Sequence, residues 1–352
     1  MGAQIEQGGI TLGGSRFHAL WLRDNCPCPE CRHESGQRLL DTRSIPDGLE
    51  VVGVSGTGAL QVSFSDGHVG TYDEAWLQAH AAPRPPRTRR LWDASLQPSL
   101  PIARHDDVAA DKRALRHWLR AVDELGFAIL TECGTEPGEV TRVAELFGFV
   151  RETNYGRLFD VKTVVNPTNL AYTGLGLGAH TDNPYRDPTP TLQLLHCLAS
   201  SADGGENTLV DSFRVARDLP EDDFELLSRC AVSFRYSDAD TDLDTEIPVI
   251  TADVHGEVRS VHYNTRSAQP FRLPGDVMGD YYAAYQRFGR LLESSDYRIQ
   301  FKLAPGDLFI VDNLRVLHGR TGYAASGGER HLQGCYADRD GLRSTLAVLS
   351  RE

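Results

Sequence analysis

The sequence lacks a long apolar run and an excess of basic residues, and each absence excludes a class of function. Among its 352 residues no apolar stretch approaches the roughly 20 residues that a membrane-spanning helix needs. The formal net charge is −13, whereas binding along a nucleic-acid backbone requires a basic surface. We therefore expect neither a membrane nor a nucleic acid as a partner.

No secretory signal is expected either, because the first residues printed, MGAQIEQGGI, contain no basic segment followed by an apolar core. A reducing cytoplasm is the expected location. The length exceeds that of one small domain, and an apolar fraction of 40% is ample for a buried core. One large domain and one small domain are the expected organisation.

Cysteine is sparse except at one place. Four of the seven cysteines stand apart in apolar surroundings and are expected to be buried free thiols: Cys133, Cys197, Cys230 and Cys335. The other three, Cys26, Cys28 and Cys31, are crowded into NCPCPEC and need one further ligand for a closed tetrahedral zinc site. His68 is favoured over His33, which is so close to the thiols that the geometry would be cramped.

Around these cysteines the sequence predicts a small β unit, of a size that commonly depends on a bound metal. Its predicted strands span residues 10–12, 16–22, 51–55, 60–64 and 68–72. The proline- and arginine-rich stretch AAPRPPRTRR then indicates an extended linker. The predicted division is an N-terminal domain at 1–82, a linker at 83–95 and a second domain at 96–352.

The second domain combines helical and strand patterns. Helices are predicted at 107–125, 136–147 and 276–294, and strands at 127–130, 298–311 and 330–336. Strands alternate with turns from 155 to 274, and 343–349 is a short terminal segment. Many strands without regular βαβ alternation predict a mainly β fold, a jelly roll or double-stranded β-helix with flanking helices.

The triplet His180-Thr181-Asp182 is the candidate catalytic centre. Residues two apart on a strand face the same side, so His180 and Asp182 are expected to point at one ion. A later apolar strand is predicted to end at His318, and Arg330 follows one strand further on. Two histidines and one carboxylate hold non-haem Fe(II) with open positions, and a guanidinium can grip a carboxylate in a bidentate fork. The pattern predicts iron beside a dicarboxylate.

Several segments, which cover nearly the whole chain, together resemble one family. They are WLRDNCPCPEC, NYGRLFD, NLAYTG, HTDNPYRD, QLLHC, GGENTLVDSF, LHGR and RHLQGCYADRD. Their combination resembles the γ-butyrobetaine hydroxylase branch of the 2-oxoglutarate-dependent, TauD-like oxygenases. The resemblance implies three ligand sets: zinc on Cys26, Cys28, Cys31 and His68; iron on His180, Asp182 and His318; 2-oxoglutarate on Arg330 and Thr208. It also implies O2 as cosubstrate, ascorbate as a stimulant and a homodimer.

The resemblance implies a substrate with a trimethylammonium group, which is hydroxylated while 2-oxoglutarate is decarboxylated to succinate and CO2. Such a group cannot donate hydrogen bonds, so proteins hold it against aromatic faces by cation–π attraction. The family places an aromatic cage at positions matching Tyr155, Phe159, Tyr172 and Tyr336.

The anionic end of the substrate is expected near positions matching Asn169, Asn183 and Asn264. Asn183 departs from the residues expected in the family, and Arg186 and Arg266 are nearby in sequence. Extra amide and guanidinium donors suit a larger, more highly charged group than a carboxylate. They favour 2-(trimethylammonio)ethylphosphonate, hydroxylated next to phosphorus, over γ-butyrobetaine, while trimethyllysine is a further alternative.

Two other functions compete with an oxygenase. A non-catalytic sensor of metal and 2-oxoglutarate is disfavoured because all three iron ligands and Arg330 are present. A zinc hydrolase with the same His-Asp-His set is disfavoured because it lacks an obvious general base beside the metal and leaves Arg330 unexplained. Oxygen uptake with Fe(II), 2-oxoglutarate and betaines distinguishes these alternatives from the oxygenase.

Overall fold

The computed structural model describes residues 2–82, 88–162, 173–324 and 328–351. The chain divides into two compact units, residues 1–87 and residues 88–352. Among the described residues no helix combines the length and the apolar character needed to cross a membrane.

The C-terminal part of the predicted linker belongs to the second unit. Trp92 is only 4% exposed there, and its indole N–H donates to the carbonyl oxygen of Leu125 at 2.7 Å. Burial of this large apolar ring fixes residues 88–95 to the unit, so the linker prediction extends too far. The remaining linker residues, 83–87, lie outside the described residues.

The first unit contains two three-stranded antiparallel sheets, in each of which the strands lie side by side in sequence order. Its elements are β1 Gln4–Glu6, β2 Gly9–Leu12, β3 Ser15–His18, α1 Ala19–Asp24, a 3-10 turn Thr42–Ser44, β4 Val51–Ser55, β5 Ala59–Phe64, β6 Val69–Asp73 and α2 Glu74–Ala79. The predicted strand 16–22 is correct only in its first half. The His18 side chain accepts a hydrogen bond from Leu20 N at 3.2 Å, which caps the helix that replaces the second half.

The second unit contains helices on both faces of a β framework. Its 3-10 turn and helices are Ala94–Ser99, α3 His105–Ala110, α4 Lys112–Leu125, α5 Glu139–Glu145, α6 Ser212–Arg217, α7 Glu221–Arg229, α8 Gly275–Leu292 and α9 Arg339–Leu349. Its strands are β7 Ile102–Arg104, β8 Phe127–Thr131, β9 Val150–Arg151, β10 Phe159–Lys162, β11 Leu177–His180, β12 Leu192–Ser200, β13 Asn207–Asp211, β14 Ala231–Ser237, β15 Asp242–Pro248, β16 Ile250–Ala252, β17 Val258–Val261, β18 Arg298–Phe301, β19 Leu308–Asp312, β20 Val316–Arg320 and β21 Arg330–Ala337.

Two main sheets form the framework, with β10-β21-β12-β19-β8-β7 in one and β11-β20-β13-β18 in the other. Side chains from both sheets, such as Leu195, Leu209 and Phe309, pack in one shared cluster between them. Helices α3, α4, α5 and α9 cover the outer face of the larger sheet. Helices α6 and α8 cover the outer face of the smaller sheet, and α7 packs on α8 and β16. This arrangement confirms the predicted jelly roll with flanking helices.

Two local predictions in this unit were wrong, and a terminal segment for which no structure was predicted is a helix. The predicted helix 107–125 is two helices, because the Asp111 side chain accepts hydrogen bonds from Arg113 N and Ala114 N and so starts α4 anew. Helices α6 and α7 lie where only strands and turns were predicted, and α9 replaces the short terminal segment. These helices have one buried face each, which depends on sheets that are distant in sequence.

Candidate active site

The first unit brings Cys26, Cys28, Cys31 and His68 together. His68 Nε2 lies 3.2, 3.8 and 3.7 Å from the three sulfurs in that order. Zinc ligands at ~2.3 Å (sulfur) and ~2.0 Å (nitrogen) in a tetrahedron lie about 3.5 Å from one another, so these four atoms could hold a zinc ion. His33 is exposed and bonds instead to Ser35 Oγ at 2.9 Å.

Neighbouring polar groups support this cluster. Arg23 donates to Cys31 Sγ at 3.2 Å and to Asp66 Oδ2 at 2.8 Å, while Asp66 Oδ1 accepts from His68 N at 2.9 Å. Burial raises the pKa of the Cys26 thiol to about 12, so its thiolate form requires a neighbouring cation. A zinc ion would supply that cation.

We expect His68→Ala to weaken zinc binding by more than about 100-fold, since loss of an outer partner of a metal ligand alone costs up to that factor. Because structural zinc contributes directly to folding, the first unit should also melt at a lower temperature. Zinc content after dialysis and a thermal melt measure both effects. His33→Ala is the matched control and should keep its zinc. Full zinc retention by the His68→Ala chain would contradict the assignment.

In the second unit His180, Asp182 and His318 converge. His180 ends β11 and His318 lies in the middle of β20 as its cross-strand partner. The centres of the two imidazole rings are 4.5 Å apart, and Asp182 Oδ1 lies 3.2 Å from His180 Nε2. Asp182 lies in the turn after β11 rather than on a strand, and β20 continues past His318, so both strand predictions were inexact. The three ligand atoms could nevertheless hold one metal ion.

Hydrogen bonds from neighbouring residues orient two of these groups, His180 and Asp182. His180 Nδ1 bonds to Gly178 O at 2.9 Å, which directs Nε2 to the centre. Asn313 accepts from Asp182 N at 2.8 Å and donates to Asp182 O at 2.9 Å, so the turn is held on both sides. Burial and the neighbouring His180 ring lower the pKa of His318 to about 3, so its imidazole is neutral, the form that binds metals.

A cavity of about 470 Å³ opens beside this centre. Arg330 lines it, with Nε donating to Gly205 O and Nη2 to Asn207 Oδ1, both at 3.0 Å. Its Nη1 is buried and has no hydrogen-bond partner among the described residues. A buried guanidinium with a spare donor fits the distal carboxylate of 2-oxoglutarate.

Thr208 does not line the cavity. On β13 its neighbour Leu209 packs between the sheets and Val210 packs outside them, so Asn207 faces inward and Thr208 faces outward. Asn207 therefore occupies the position beside Arg330 that the sequence prediction gave to Thr208. The NTLVD strand is buried on both faces. Its sequence therefore has no alternation of apolar and polar residues that would show which side chains face the cavity.

Arg320 also belongs to the cavity wall, and the sequence prediction missed it. Its guanidinium donates to the carbonyl oxygens of Leu175, at 3.2 Å, and of Thr173. It also lies 5.4 Å from the centre of the Tyr323 ring, which Arg330 approaches to 5.8 Å. Arg320 thus holds the chain that leads into β11 and adds positive charge to the cavity wall.

Three of the four predicted cage aromatics, Tyr155, Phe159 and Tyr336, line the cavity. The Phe159 ring centre lies 6.2 Å from that of Tyr155 and 5.1 Å from that of Tyr336. Tyr172 and Asn169 lie outside the described residues. Tyr185 and Tyr236 were missed by the sequence prediction and extend the aromatic wall, with their rings stacked at 5.3 Å.

A chain of hydroxyl groups orients Asn183. Tyr185 donates to Asn183 Oδ1 at 2.7 Å, so the hydroxyl of Tyr155, 3.0 Å from that of Tyr185, must be the donor of that pair. The Asn183 amide nitrogen is buried, lacks a partner among the described residues and belongs to the cavity wall. The hydroxyl groups therefore occupy the Asn183 carbonyl oxygen and leave both N–H groups of its amide without a partner among the described residues.

The other predicted anion contacts have different fates. Asn264 lines the cavity but uses its amide to donate to Thr181 O at 3.0 Å and to accept from Arg266 N at 3.1 Å. It shapes the loop that carries Arg266 into the cavity wall. Arg186 is not part of that wall, and its guanidinium donates to Asn154. Of the two arginines left open by the sequence, Arg266 is the one at the cavity.

A jelly roll that carries two histidines, one carboxylate and a buried arginine in a shared cavity defines the Fe(II)/2-oxoglutarate-dependent oxygenases as the class of this protein. Residues 94–336 match the taurine catabolism dioxygenase TauD, TfdA family, and residues 11–78 match the gamma-butyrobetaine hydroxylase-like N-terminal family. The chain belongs to the TauD, TfdA family and is an Fe(II)/2-oxoglutarate-dependent dioxygenase. This result confirms the predicted oxygenase over the sensor and the zinc hydrolase.

Relatives match over nearly the full length. The chain is 39% identical to a gamma-butyrobetaine dioxygenase from Pseudomonas sp. (strain AK-1), over 96% of this chain and 91% of the relative. It is 28% identical to a trimethyllysine dioxygenase from Meyerozyma guilliermondii, again over 96% and 91%. The non-heme iron oxygenase OrfP, solved with Fe and alpha-ketoglutaric acid, shares the fold with a TM-score of 0.51, 16% identity and coverage of 69% and 84%.

Proposed function

We propose that this enzyme hydroxylates a small trimethylammonium compound with an anionic end, using Fe(II), 2-oxoglutarate and O2. The observation that carries the proposal is the aromatic wall of Tyr155, Phe159 and Tyr336 beside His180 and Asp182 in one cavity. A quaternary ammonium group binds aromatic faces because it cannot form hydrogen bonds. Relatives named for γ-butyrobetaine and trimethyllysine, two trimethylammonium compounds, support the same substrate class.

Within the site each part has a separate task. Bound iron supplies the oxidising chemistry from O2 and 2-oxoglutarate. The protein holds the 2-oxoglutarate distal carboxylate with Arg330 and the quaternary nitrogen with the aromatic wall. When the quaternary nitrogen and the anionic end of the substrate are both held, one C–H bond is placed at the metal. Such positioning is a large part of catalysis.

At the anionic end the donors favour a phosphonate. Asn183 presents two N–H groups, Arg266 adds a guanidinium, and the buried Ser267 hydroxyl has no partner among the described residues. A phosphonate has three oxygens and up to two negative charges, so it can use more of these donors than a carboxylate can. The proposed substrate is 2-(trimethylammonio)ethylphosphonate, hydroxylated at C1. γ-Butyrobetaine is the second candidate, favoured by the 39% identical relative.

Succinate formation with each of three compounds tests this choice. We expect the highest kcat/KM with 2-(trimethylammonio)ethylphosphonate, a lower value with γ-butyrobetaine and the lowest with trimethyllysine. In Asn183→Leu the value for the phosphonate should fall about 10- to 100-fold, because a hydrogen bond to a charged group contributes ~1.5–3 kcal/mol. Asn154→Leu, outside the cavity, is the matched control and should leave it unchanged.

Two outcomes would count against the proposal. Exclusive turnover of γ-butyrobetaine would remove the phosphonate and leave the broader substrate class intact. Succinate formation that none of the three compounds stimulates would remove the substrate class itself, while the oxygenase assignment would stand on the family.

A further inference from the structure

Tyr336 contacts two parts of the site at once. Its ring belongs to the aromatic wall, with its centre 5.1 Å from that of Phe159. Its hydroxyl donates to Asp182 Oδ2 at 2.9 Å. The side chain is 3% exposed, so it has little freedom to break either contact. One phenol therefore joins the proposed cage to a metal-ligand carboxylate.

Gln193 provides an internal comparison for this contact. It lies directly opposite Tyr336 in the pairing of β12 with β21, and its amide nitrogen donates to the same Asp182 Oδ2. Gln193 carries no ring, so it can support the carboxylate without contacting a cage cation through a π face. Together the two donors hold Oδ2, while Oδ1 lies 3.2 Å from His180 Nε2.

A cation placed against the Tyr336 ring would change the strength of this hydrogen bond. The cation draws the π-electron density of the ring towards itself and so makes the phenol hydroxyl a stronger hydrogen-bond donor. A stronger hydrogen bond to Asp182 withdraws negative charge from the carboxylate oxygens, and a less negative carboxylate attracts a metal cation less strongly. The effect is mutual, because a metal bound to Asp182 weakens the same hydrogen bond and leaves the ring less attractive to a cation.

We infer that the Tyr336 hydroxyl couples the cage to the metal centre, so that a quaternary ammonium in the cage weakens metal binding and a bound metal weakens the cage equally. The inference rests on the proposed function, since it requires a cation in the cage. It gives Tyr336 a second task, positioning the Asp182 carboxylate, besides forming a wall of the substrate site.

Binding measurements on the full chain test the coupling without turnover. Tetramethylammonium is the probe, because it fills the cage and has no anionic end, and Mn(II) replaces iron because it binds the same kind of ligands. By calorimetry, saturating probe should weaken Mn(II) binding to the wild-type chain about fivefold, the lower end for coupled sites. Mn(II) should weaken probe binding by the same factor.

Tyr336→Phe keeps the ring and deletes the hydroxyl. The metal-free variant should still bind the probe, but its Mn(II) affinity should change less than about twofold when the probe is added, since only screened repulsion between the two cations remains. Gln193→Leu is the matched control. It loses only the amide donor to the same carboxylate oxygen and keeps the Tyr336 hydroxyl, so it should still show the fivefold response.

The outcomes separate the inference from the proposed function. A Tyr336→Phe chain that responds to the probe like the wild type overturns the inference and leaves the cage intact. If bound probe leaves the Mn(II) affinity of the wild-type chain unchanged, that result alone overturns the inference. If the metal-free wild-type chain binds no tetramethylammonium, the cage itself fails, and the proposed function fails with it.

Discussion

Asp182→Ala is expected to abolish iron binding and 2-oxoglutarate-dependent turnover. The variant leaves two imidazoles, His180 and His318, and removes the charged ligand that completes the facial set. Since loss of an outer partner of a metal ligand costs about 10- to 100-fold, loss of the ligand itself should leave less than about 1% of the wild-type kcat/KM. Iron content after desalting and succinate formation measure the two effects.

The fold should survive this substitution. The backbone of residue 182 remains bonded to Asn313 through N and O, and neither bond uses the carboxylate. Asp244→Ala removes a carboxylate from an exposed position on β15 and is the matched control, which should keep both iron and activity. Turnover by a folded Asp182→Ala chain above a tenth of the wild-type rate would contradict the iron assignment.

Asp211→Ala should cause a large loss of stability. Asp211 and Arg315 form an ion pair whose side chains are 0% and 2% exposed, with N–O distances of 2.8 and 3.1 Å. Arg315 also donates to the carbonyl oxygens of Glu124 and Arg90, and Asp211 accepts from Trp92 N. Removal of one partner leaves the other charge buried, which typically costs ~3–5 kcal/mol. A urea titration of the second unit measures the change in its free energy of unfolding.

Two further variants test the cause of this loss. The double variant Asp211→Leu/Arg315→Met buries no charge, so it should recover part of the stability, although the backbone groups once bonded to the pair lose their partners. Glu225→Ala breaks the exposed i,i+4 pair with Arg229 on α7 and should cost only ~0.3–0.5 kcal/mol. Equal losses in Asp211→Ala and Glu225→Ala would show that burial of the charge is not the cause.

Short-range patterns predicted the strands well where turns bound them, as at 51–55 and 127–130. They failed where a side chain competes with a continuing element, as Asp111 does by capping α4. Helices α6 and α7 were missed because each is short and becomes stable only when its apolar face packs on α8 and on strands that are distant in sequence. Propensity summed over a few residues carries too little information to outweigh that packing.

In the candidate site, too, the sequence predicted some residues correctly and missed others. His180 and Asp182 are close in sequence, so their convergence on one centre follows from local geometry. Arg330 was assigned by its distance from His318 and by the charge that a dicarboxylate requires. Asn207 was missed in favour of Thr208 because a strand buried on both faces has no alternation to reveal its phase. Only the pairing of β13 with β20 decides which residue faces the cavity.

By itself the sequence determined which chemical groups the protein has for metal, dicarboxylate and cation binding, because ligand type and charge belong to residue identity. The tertiary structure alone decided which groups share a cavity and in which direction their hydrogen bonds run. Asn183 presents donors because Tyr185, positioned by packing, donates to its carbonyl oxygen. Tyr336 reaches Asp182 because β21 pairs with β12 in one register, and a slip of one residue would turn its ring to the opposite face.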